Sequence, residues 1–472
     1  MLYWRSQLIR TLLCGLVLAT VSTPAGAQEP RVGIDPETQA LEERERSTEE
    51  VAGLTTETLE VETLEATTLA AGEAALKLVA RLEAELLQKD LVDQERYPEA
   101  VPVAERIVEL TEEEFGVSLE LGVALSNLAV LQRRIGLYEP SEQNFLRGVD
   151  VMRDAGGPFN DTVIDALVGL GINYRLRGDY FEALTIFEEA RTVSRRVNGL
   201  MNEQQIDILD QLTNTMFSMK RYAEADQYQR TALHLMERVH GTETVEVLPA
   251  IYKYARWLRL SFRYQEERDQ YARAMDIIRD HEGPESLSMT KPLGETGNSF
   301  RIQKVPDGRA INALKRALAI AESKPEPDKL IIAKLLVDIG DWNVAFSKMG
   351  STGEEYRRAW HLLGELENGD ALRKEWFDEP NYVLREYPSS RGISDASDSG
   401  AIPGYVLITF DVSDLGKTTN VTVIESVPPG LKDDSTARAL NRSRFRPRLV
   451  DGEPVWTQGL ARTFNFHYQP RD

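Results

Sequence analysis

The chain has 472 residues and a net charge of −21, with 55 lysines and arginines against 76 aspartates and glutamates. So large an acidic excess argues against a nucleic-acid partner held by phosphate attraction and against adhesion to an anionic membrane surface. Apolar residues make up 42% of the chain, enough to fill the cores of two or three domains, and Cys14 is the only cysteine.

The opening segment reads as an address. Arg5 and Arg10 precede an uncharged apolar run from Thr11 to Val21, and Ala25 and Ala27 form the A-x-A pattern of a signal-peptidase site before Gln28. A signal peptide over residues 1–27 is expected, with an uncleaved membrane anchor as the alternative. Cys14 lies in this run behind Leu13, where a lipoprotein signal needs a small residue, so lipidation is not expected. Cleavage would leave no cysteine, hence no disulfide, thiol nucleophile or cysteine metal site. Residues 28–73 are rich in Glu and Thr, as in TTETLEVETLEATTLAAGE. Such a stretch cannot bury enough apolar surface to offset its ordering entropy, so it reads as a disordered spacer, with an acidic docking tail as the other reading.

From residue 74 to 367 the apolar spacing is helical. Leu167 to Ala190 reads as two amphipathic helices joined at Arg177, Gly178 and Asp179, with Tyr180 capping the turn. Gly171 and Ala183 let the backbones approach, while Leu167, Leu170, Tyr174, Phe187 and Ala190 supply the seam. The frame recurs, because Tyr138, Tyr180, Tyr222 and Tyr264 each lie 42 residues from the next. Leu125, Leu167, Leu209 and Ile251 keep step with them, as do Ala129, Gly171, Thr213 and Ala255, and then Gly148, Ala190, Ala232 and Ala274. Weaker copies run through Tyr97, Ala100, Ala104 and Ile107 upstream, and through Ala310, Ala317, Gly340, Tyr356 and Ala359 downstream. Pro292 to Asp307, rich in Gly, Pro, Ser and Asn, reads as a degenerate or looped repeat. These columns resemble a tetratricopeptide (TPR) array, although that repeat is about 34 residues long, and imply an α-solenoid of about seven helical hairpins.

A stacked solenoid presents a concave face lined by its first helices, the usual seat of an extended peptide. Arg133, Arg175 and Arg259 share one frame there with Phe217 in the fourth place, and Asn214, Tyr252 and Arg256 fall on the same side. A guanidinium column suits two-point hydrogen bonds to carboxylates, so an acidic peptide or a free C-terminus is the expected ligand. The plainer reading leaves these arginines solvated and paired with local glutamates.

Prolines, serines and glycines mark residues 368–403 as a linker, after which the period changes. In GYVLITFDV, Val406, Ile408, Phe410 and Val412 alternate with Tyr405, Leu407, Thr409 and Asp411 as in a strand; Asn420 to Glu425 gives a second, Ser435 to Ser443 a short helix, and Phe464, Phe466 and Tyr468 a closing strand. GYVLITFDVSDLGKTTNVTVIES, SRFRPRLVDGEPV and TFNFHY together resemble the TonB C-terminal domain, over about the last eighty-five residues from Tyr387-Pro388 onward. Leu415 stands where an Asp is usual before the glycine, and Ser443 where an aromatic residue is common. The resemblance implies a small α+β domain over residues 404–472 that recruits a segment of an outer-membrane receptor as an added strand. The edge expected to take it runs from Arg462 through Phe464 and Phe466 to Tyr468. Arg438, Arg442, Arg444, Arg446 and Arg448 form a basic cluster that either docks acidic surfaces or solvates the helix and balances its C-terminal dipole.

Nothing in the sequence points to catalysis. The five histidines lack metal-ligand spacing, and there is no P-loop, G-x-S-x-G or dinucleotide fingerprint, so no cofactor or metal is expected. The whole reads as a mostly α, non-enzymatic periplasmic adaptor whose partners are proteins or peptides of the bacterial envelope, outer-membrane receptors among them. Two alternatives stand beside it: a membrane-anchored, divergent energy transducer, and an envelope hydrolase or its regulator. An energy transducer of the ordinary kind carries a histidine in its membrane helix and a proline-rich rod, whereas here no histidine precedes His234 and a helical array replaces the rod.

Overall fold

The computed structural model describes residues 72, 75–346, 353–394 and 399–470. The expected signal segment, and the acidic segment save Gly72, lie outside the described residues. Contacts divide the chain into two units, Met1–Ala80 and Arg81–Asp472. In the first, residues 75–80 are helical. The second begins in helix α1 (81–93) and continues through α2 (Tyr97–Phe115), α3 (Leu119–Arg134), α4 (Tyr138–Gly156), α5 (Asp161–Arg177), α6 (Tyr180–Val197), α7 (Gln204–Ser218) and α8 (Tyr222–His240). Then come α9 (Leu248–Leu260), α10 (Tyr264–Glu282), α11 (Thr290–Ile302), α12 (Gly308–Glu322), α13 (Lys329–Phe346) and α14 (Glu354–Leu363). Consecutive helices from α1 to α14 make seven hairpins among the described residues.

From the second hairpin onward, each closes on a small residue of its first helix against a larger one of its second. A Cβ added at Gly171 would lie 2.5 Å from the Phe187 ring, at Gly297 2.5 Å from Leu314, and at Gly340 2.5 Å from the Tyr356 ring. Ala129 with Phe145, and Ala255 with Tyr271, repeat the pairing in the buried core. In the one hairpin where both residues are polar, Gln229 Nε2 donates to Thr213 Oγ1 at 3.1 Å. In the six hairpins whose turn is described, the turn between the two helices uses a left-handed residue: Glu95, Gly136, Gly178, Lys220, Phe262 and Lys304. Glycine costs nothing there, and the other side chains are tolerated at some strain. Tyr180 does not cap this turn; it is the first residue of α6, and the N-cap is Asp179.

The stretch from Pro292 to Asp307, expected as a looped repeat, instead carries the complete helix α11. Pro292 lies in its first turn, where a missing N–H forfeits no intrahelical bond. Gly297 is the small residue against Leu314, and buried Ser299 donates to Glu267 at 2.8 Å. Composition suggested a loop because each helix-weakening residue has a tertiary reason to be there.

The region expected as a linker holds helix α15 (Gly369–Phe377) and strand β1 (Asn381–Leu384). The C-terminal module continues with β2 (Ile402–Val412), β3 (Thr418–Val427), α16 (Asp433–Arg442), β4 (Arg444–Arg446), β5 (Arg448–Val450), β6 (Glu453–Val455) and β7 (Thr457–Tyr468). Its main sheet runs β3–β2–β7, all antiparallel; β1 pairs with β4, and β5 with β6. Val406, Ile408, Phe410 and Val412 of β2 face a core completed by Leu440 of α16 and Phe445 of β4.

Helix α13 is buried almost all round from Ile332 to Val344, unlike the two-sided helices before it. Helices α12 and α14 pack on it from the array, and β1 and β4 from the C-terminal module. Val383 of β1 and Leu449 of β5 accordingly belong to the same apolar core as α9 to α14. Replacing Gly171 or Gly340 by valine should cost about 1–3 kcal/mol through overpacking against Phe187 or Tyr356. Native-state hydrogen exchange is expected to show the loss mainly in the mutated hairpin and its neighbours.

Candidate interaction surfaces

Strand β7 lies at one edge of the main sheet. Which of its backbone groups face outward follows from two observations. Pro403 stands opposite His467 and has no N–H to donate, and the His467 carbonyl instead accepts from the Ser394 N–H at 2.8 Å. His467 therefore points away from β2, and by alternation so do Thr463 and Asn465. From Ala461 to Asn465 no strand pairs on that side among the described residues. The Ala461 carbonyl takes a long bond from its neighbour Arg462, at 3.4 Å. Of the four residues expected to define this edge, Phe464 and Phe466 turn their rings into the core, Tyr468 is half-buried, and Arg462 is exposed. The edge offers main chain, not an aromatic surface.

The array's arginine column has a different character from the one its spacing suggested. Arg133 is largely buried, donates to the Gly169 carbonyl at 2.8 Å, and is pushed down to about 10 by burial and then by Arg134 and Arg175. Arg259 sits between Glu267 at 2.5 Å and Glu295 at 2.9 Å; burial works against its charge, but these carboxylates outweigh it and raise the pKa. Glu267 is fully buried, and burial raises its pKa despite Arg259. Arg301, four steps of 42 residues from Arg133, continues the column and donates to the Val383 carbonyl of β1 at 2.7 Å. At these levels the column joins one repeat to the next or to β1, so Arg133 and Arg259 are committed to the fold. Arg175 is half-buried, and its Nε has no partner among the described residues. Asn214 and Arg256 are exposed, while Tyr252 is buried with Lys291 Nζ 4.2 Å from its ring centre.

The basic cluster of the C-terminal module separates into distinct roles. Arg438 and Arg442 are exposed on α16, and Arg444 donates to the Ser443 carbonyl at 2.9 Å. Arg448 lies 3.9 Å from Asp378. Arg446 is not a docking residue. Its Nε and Nη2 donate to Asp341 Oδ1 and Oδ2 at 3.0 and 2.9 Å in a two-point pair between β4 and α13. Tyr356 donates to the same carboxylate at 2.9 Å, and Arg301 lies 3.9 Å away. Burial works against the Asp341 charge, but Arg446 outweighs it and holds the carboxyl below its ordinary range. One turn earlier, burial and then the Asp341 charge push Asp338 up to about 6.

This junction was missed because Asp341 and Arg446 lie far apart in sequence, and the basic cluster to which Arg446 belongs gives no sign of a buried partner. Arg301 had a signal, the 42-residue period, hidden by the expectation of a loop. Among the described residues there is no group of three or more His, Cys, Asp or Glu placed to hold a metal, and no helix long and apolar enough to cross a membrane.

Residues 162–233 match the tetratricopeptide repeat family, and residues 395–468 match the family described as Gram-negative bacterial TonB protein C-terminal. The chain is thus a mostly α, TPR-type solenoid followed by a small α+β TonB-like domain. Both are protein-interaction modules of generally non-enzymatic families, and the second is a domain of the Gram-negative envelope. Among solved structures, the chain is similar to TPR-like repeats of a kinesin light chain from Podosopora anserina, with 13% identity, 43% of this chain and 97% of that one covered, and a TM-score of 0.36. Part of a TPR protein from Cytophaga hutchinsonii is 12% identical over 61% of this chain and 95% of that one, with a TM-score of 0.37. Aspartyl phosphate phosphatase F from Bacillus subtilis is 12% identical over 63% and 73%, with a TM-score of 0.39. At these levels no binding property carries over. No curated protein matches the chain.

Two outcomes test the junction. Asp341→Asn strands the Arg446 charge and should cost about 3–5 kcal/mol, whereas Asp341→Leu combined with Arg446→Met should recover much of it, read from unfolding midpoints. Asp338 has a folded pKa near 6 against an ordinary 3.8, so between about pH 4 and 6 the folded chain holds a proton the unfolded chain has released. Its contribution, on the order of 2–3 kcal/mol, is present below that window and lost as pH rises through it. Asp341 has the opposite sign, its share vanishing as pH falls through its lowered pKa. Asp338→Asn should therefore be increasingly more stable than the parent from pH 4 to 7, in paired thermal melts.

Proposed function

We propose that this chain is a periplasmic, non-enzymatic adaptor, in which the TPR-type array collects one protein partner and the TonB-like module adds a strand of another to β7. The observation that carries the reading is the outward-facing backbone of Thr463 and Asn465, unpaired among the described residues on an otherwise ordered sheet edge. An extended segment laid there gains main-chain hydrogen bonds without displacing anything described, and exposed side chains along the strand supply selectivity. An outer-membrane receptor segment is the partner suggested by the TonB-like match and by export through residues 1–27. Because α13, β1 and β5 share one apolar core and β4 packs on α13, the array and the module act as a continuous body, so a partner on one is held at a fixed place relative to a partner on the other.

A photo-crosslinking residue at Asn465, introduced in the native envelope, should give a discrete adduct. Thr463→Pro, which removes an outward N–H, should abolish it while leaving the melting temperature within a few degrees of the parent. An adduct indifferent to Thr463→Pro would remove strand addition from the reading. Intact-mass measurement of protein purified from the envelope should give a chain starting at Gln28; a chain that retains residues 1–27 would favour the anchored form.

A further inference from the structure

We infer that Arg256, Lys291 and Lys334, with the ring of Tyr252 beneath Lys291, form a binding site on the array for the carboxylates of an acidic, extended peptide. The inference rests on the reading of the array as a partner-holding scaffold and names the chemistry of what it holds; it is independent of β7. The three cations come from three successive first helices, α9, α11 and α13, and all are exposed. Lys291 and Lys334 each precede the small packing glycine of their helix, Gly297 and Gly340, by the same number of residues, so they occupy equivalent places in adjacent repeats. Arg256 follows Tyr252 by one turn of α9, and the Lys291 ammonium stands 4.2 Å from the Tyr252 ring centre.

Among the described residues none of the three has a carboxylate at ion-pair distance. The nearby acids are engaged elsewhere: Glu295 pairs with Arg259 at 2.9 Å, Glu282 accepts from Ser286, and Asp338, one turn from Lys334, is buried and accepts from Asn298. Burial and then Arg256 lower the pKa of Lys291, Glu295 on the next turn offsets part of this, and Lys334 lowers it again, so the cations are close enough to repel one another. Holding like charges together with no carboxylate at ion-pair distance opposes folding, and in a chain of net charge −21 acidic residues were abundant enough to pair them. A carboxylate ligand converts that repulsion into charge-assisted hydrogen bonds.

Polypeptide is favoured over other anions by what the array already holds. Strand β1 lies extended against α11 and α13, its Val383 carbonyl bound by Arg301 at 2.7 Å and its Val383 side chain buried in the array core. These same helices, which bear Lys291 and Lys334, thus accept extended main chain.

The test is fluorescence anisotropy with the full chain and a labelled Glu-rich peptide, beside the same peptide with every Glu replaced by Gln. The Glu peptide should bind, more weakly as salt rises, and the Gln peptide should not. Combined Arg256→Gln, Lys291→Gln and Lys334→Gln should weaken binding at least about tenfold, equivalent to about 1.4 kcal/mol. Arg438→Gln with Arg442→Gln, and separately Thr463→Pro, should leave it unchanged. Should the triple variant melt early, Lys334→Gln alone must show a smaller loss in the same direction. Equal binding of the two peptides, no binding of either, insensitivity to the three substitutions, or capture of anionic lipid vesicles in place of the peptide would overturn the inference. Loss through Thr463→Pro would do so too, by placing the peptide at β7, whereas failure of the Asn465 crosslink would leave the array site standing.

Discussion

The buried pair between Asp341 and Arg446 sets the relation of the two modules. A carboxylate removed from water is costly unless its oxygens are filled, and here two guanidinium bonds and the Tyr356 hydroxyl fill them. Those groups come from β4, α13 and α14, so the charge is satisfied only when the C-terminal module sits on the last hairpin. Apolar contacts of Val383 and Leu449 act in the same direction but have no directionality of their own. The pair supplies orientation, and the apolar surface supplies the larger part of the attraction.

The same principle, a guanidinium bound to a carbonyl or carboxylate of a neighbouring element, recurs along the array. Arg133 reaches the Gly169 carbonyl, Arg259 reaches Glu267 and Glu295, and Arg301 reaches Val383. A repeat that contacts only its neighbours needs such ties, since its stability is largely the sum of those interfaces. They also explain why a regular column of cations is a poor guide to a ligand. What distinguishes Arg256, Lys291 and Lys334 is that none of them has an ion-pair partner among the described residues. Likewise β7 is one of the sheet's two edges, and its main chain from Thr463 to Asn465 has no pairing strand on its outer side among the described residues.

Much of the array could be read from residue spacing because its packing is local. Gly171 meets Phe187, and Gly340 meets Tyr356, within a single hairpin, so one period in the sequence is one contact in space. The alternation from Val406 to Val412 was legible for the same reason: a strand with one buried face writes that face at every second residue. Helix α11 was not, because Pro292 and Gly297 weaken a helix in isolation and are admitted only by the first-turn position of one and the side chain opposite the other. The expected linker failed similarly, since β1 is four residues long and gains its stability from β4 and α13.

By itself the sequence determined the constant pitch of the array and the alternation of the strand from Val406 to Val412, both consequences of short-range periodicity in where apolar side chains fall, while the edge position of the closing strand came from the resemblance to the TonB C-terminal domain. Only the tertiary structure decided which charges remain available. Whether an arginine is solvated, as Arg438 is, or buried against an acid, as Arg446 is, depends on what folds back onto it from far along the chain, and the periodicity of a sequence carries no record of that distance.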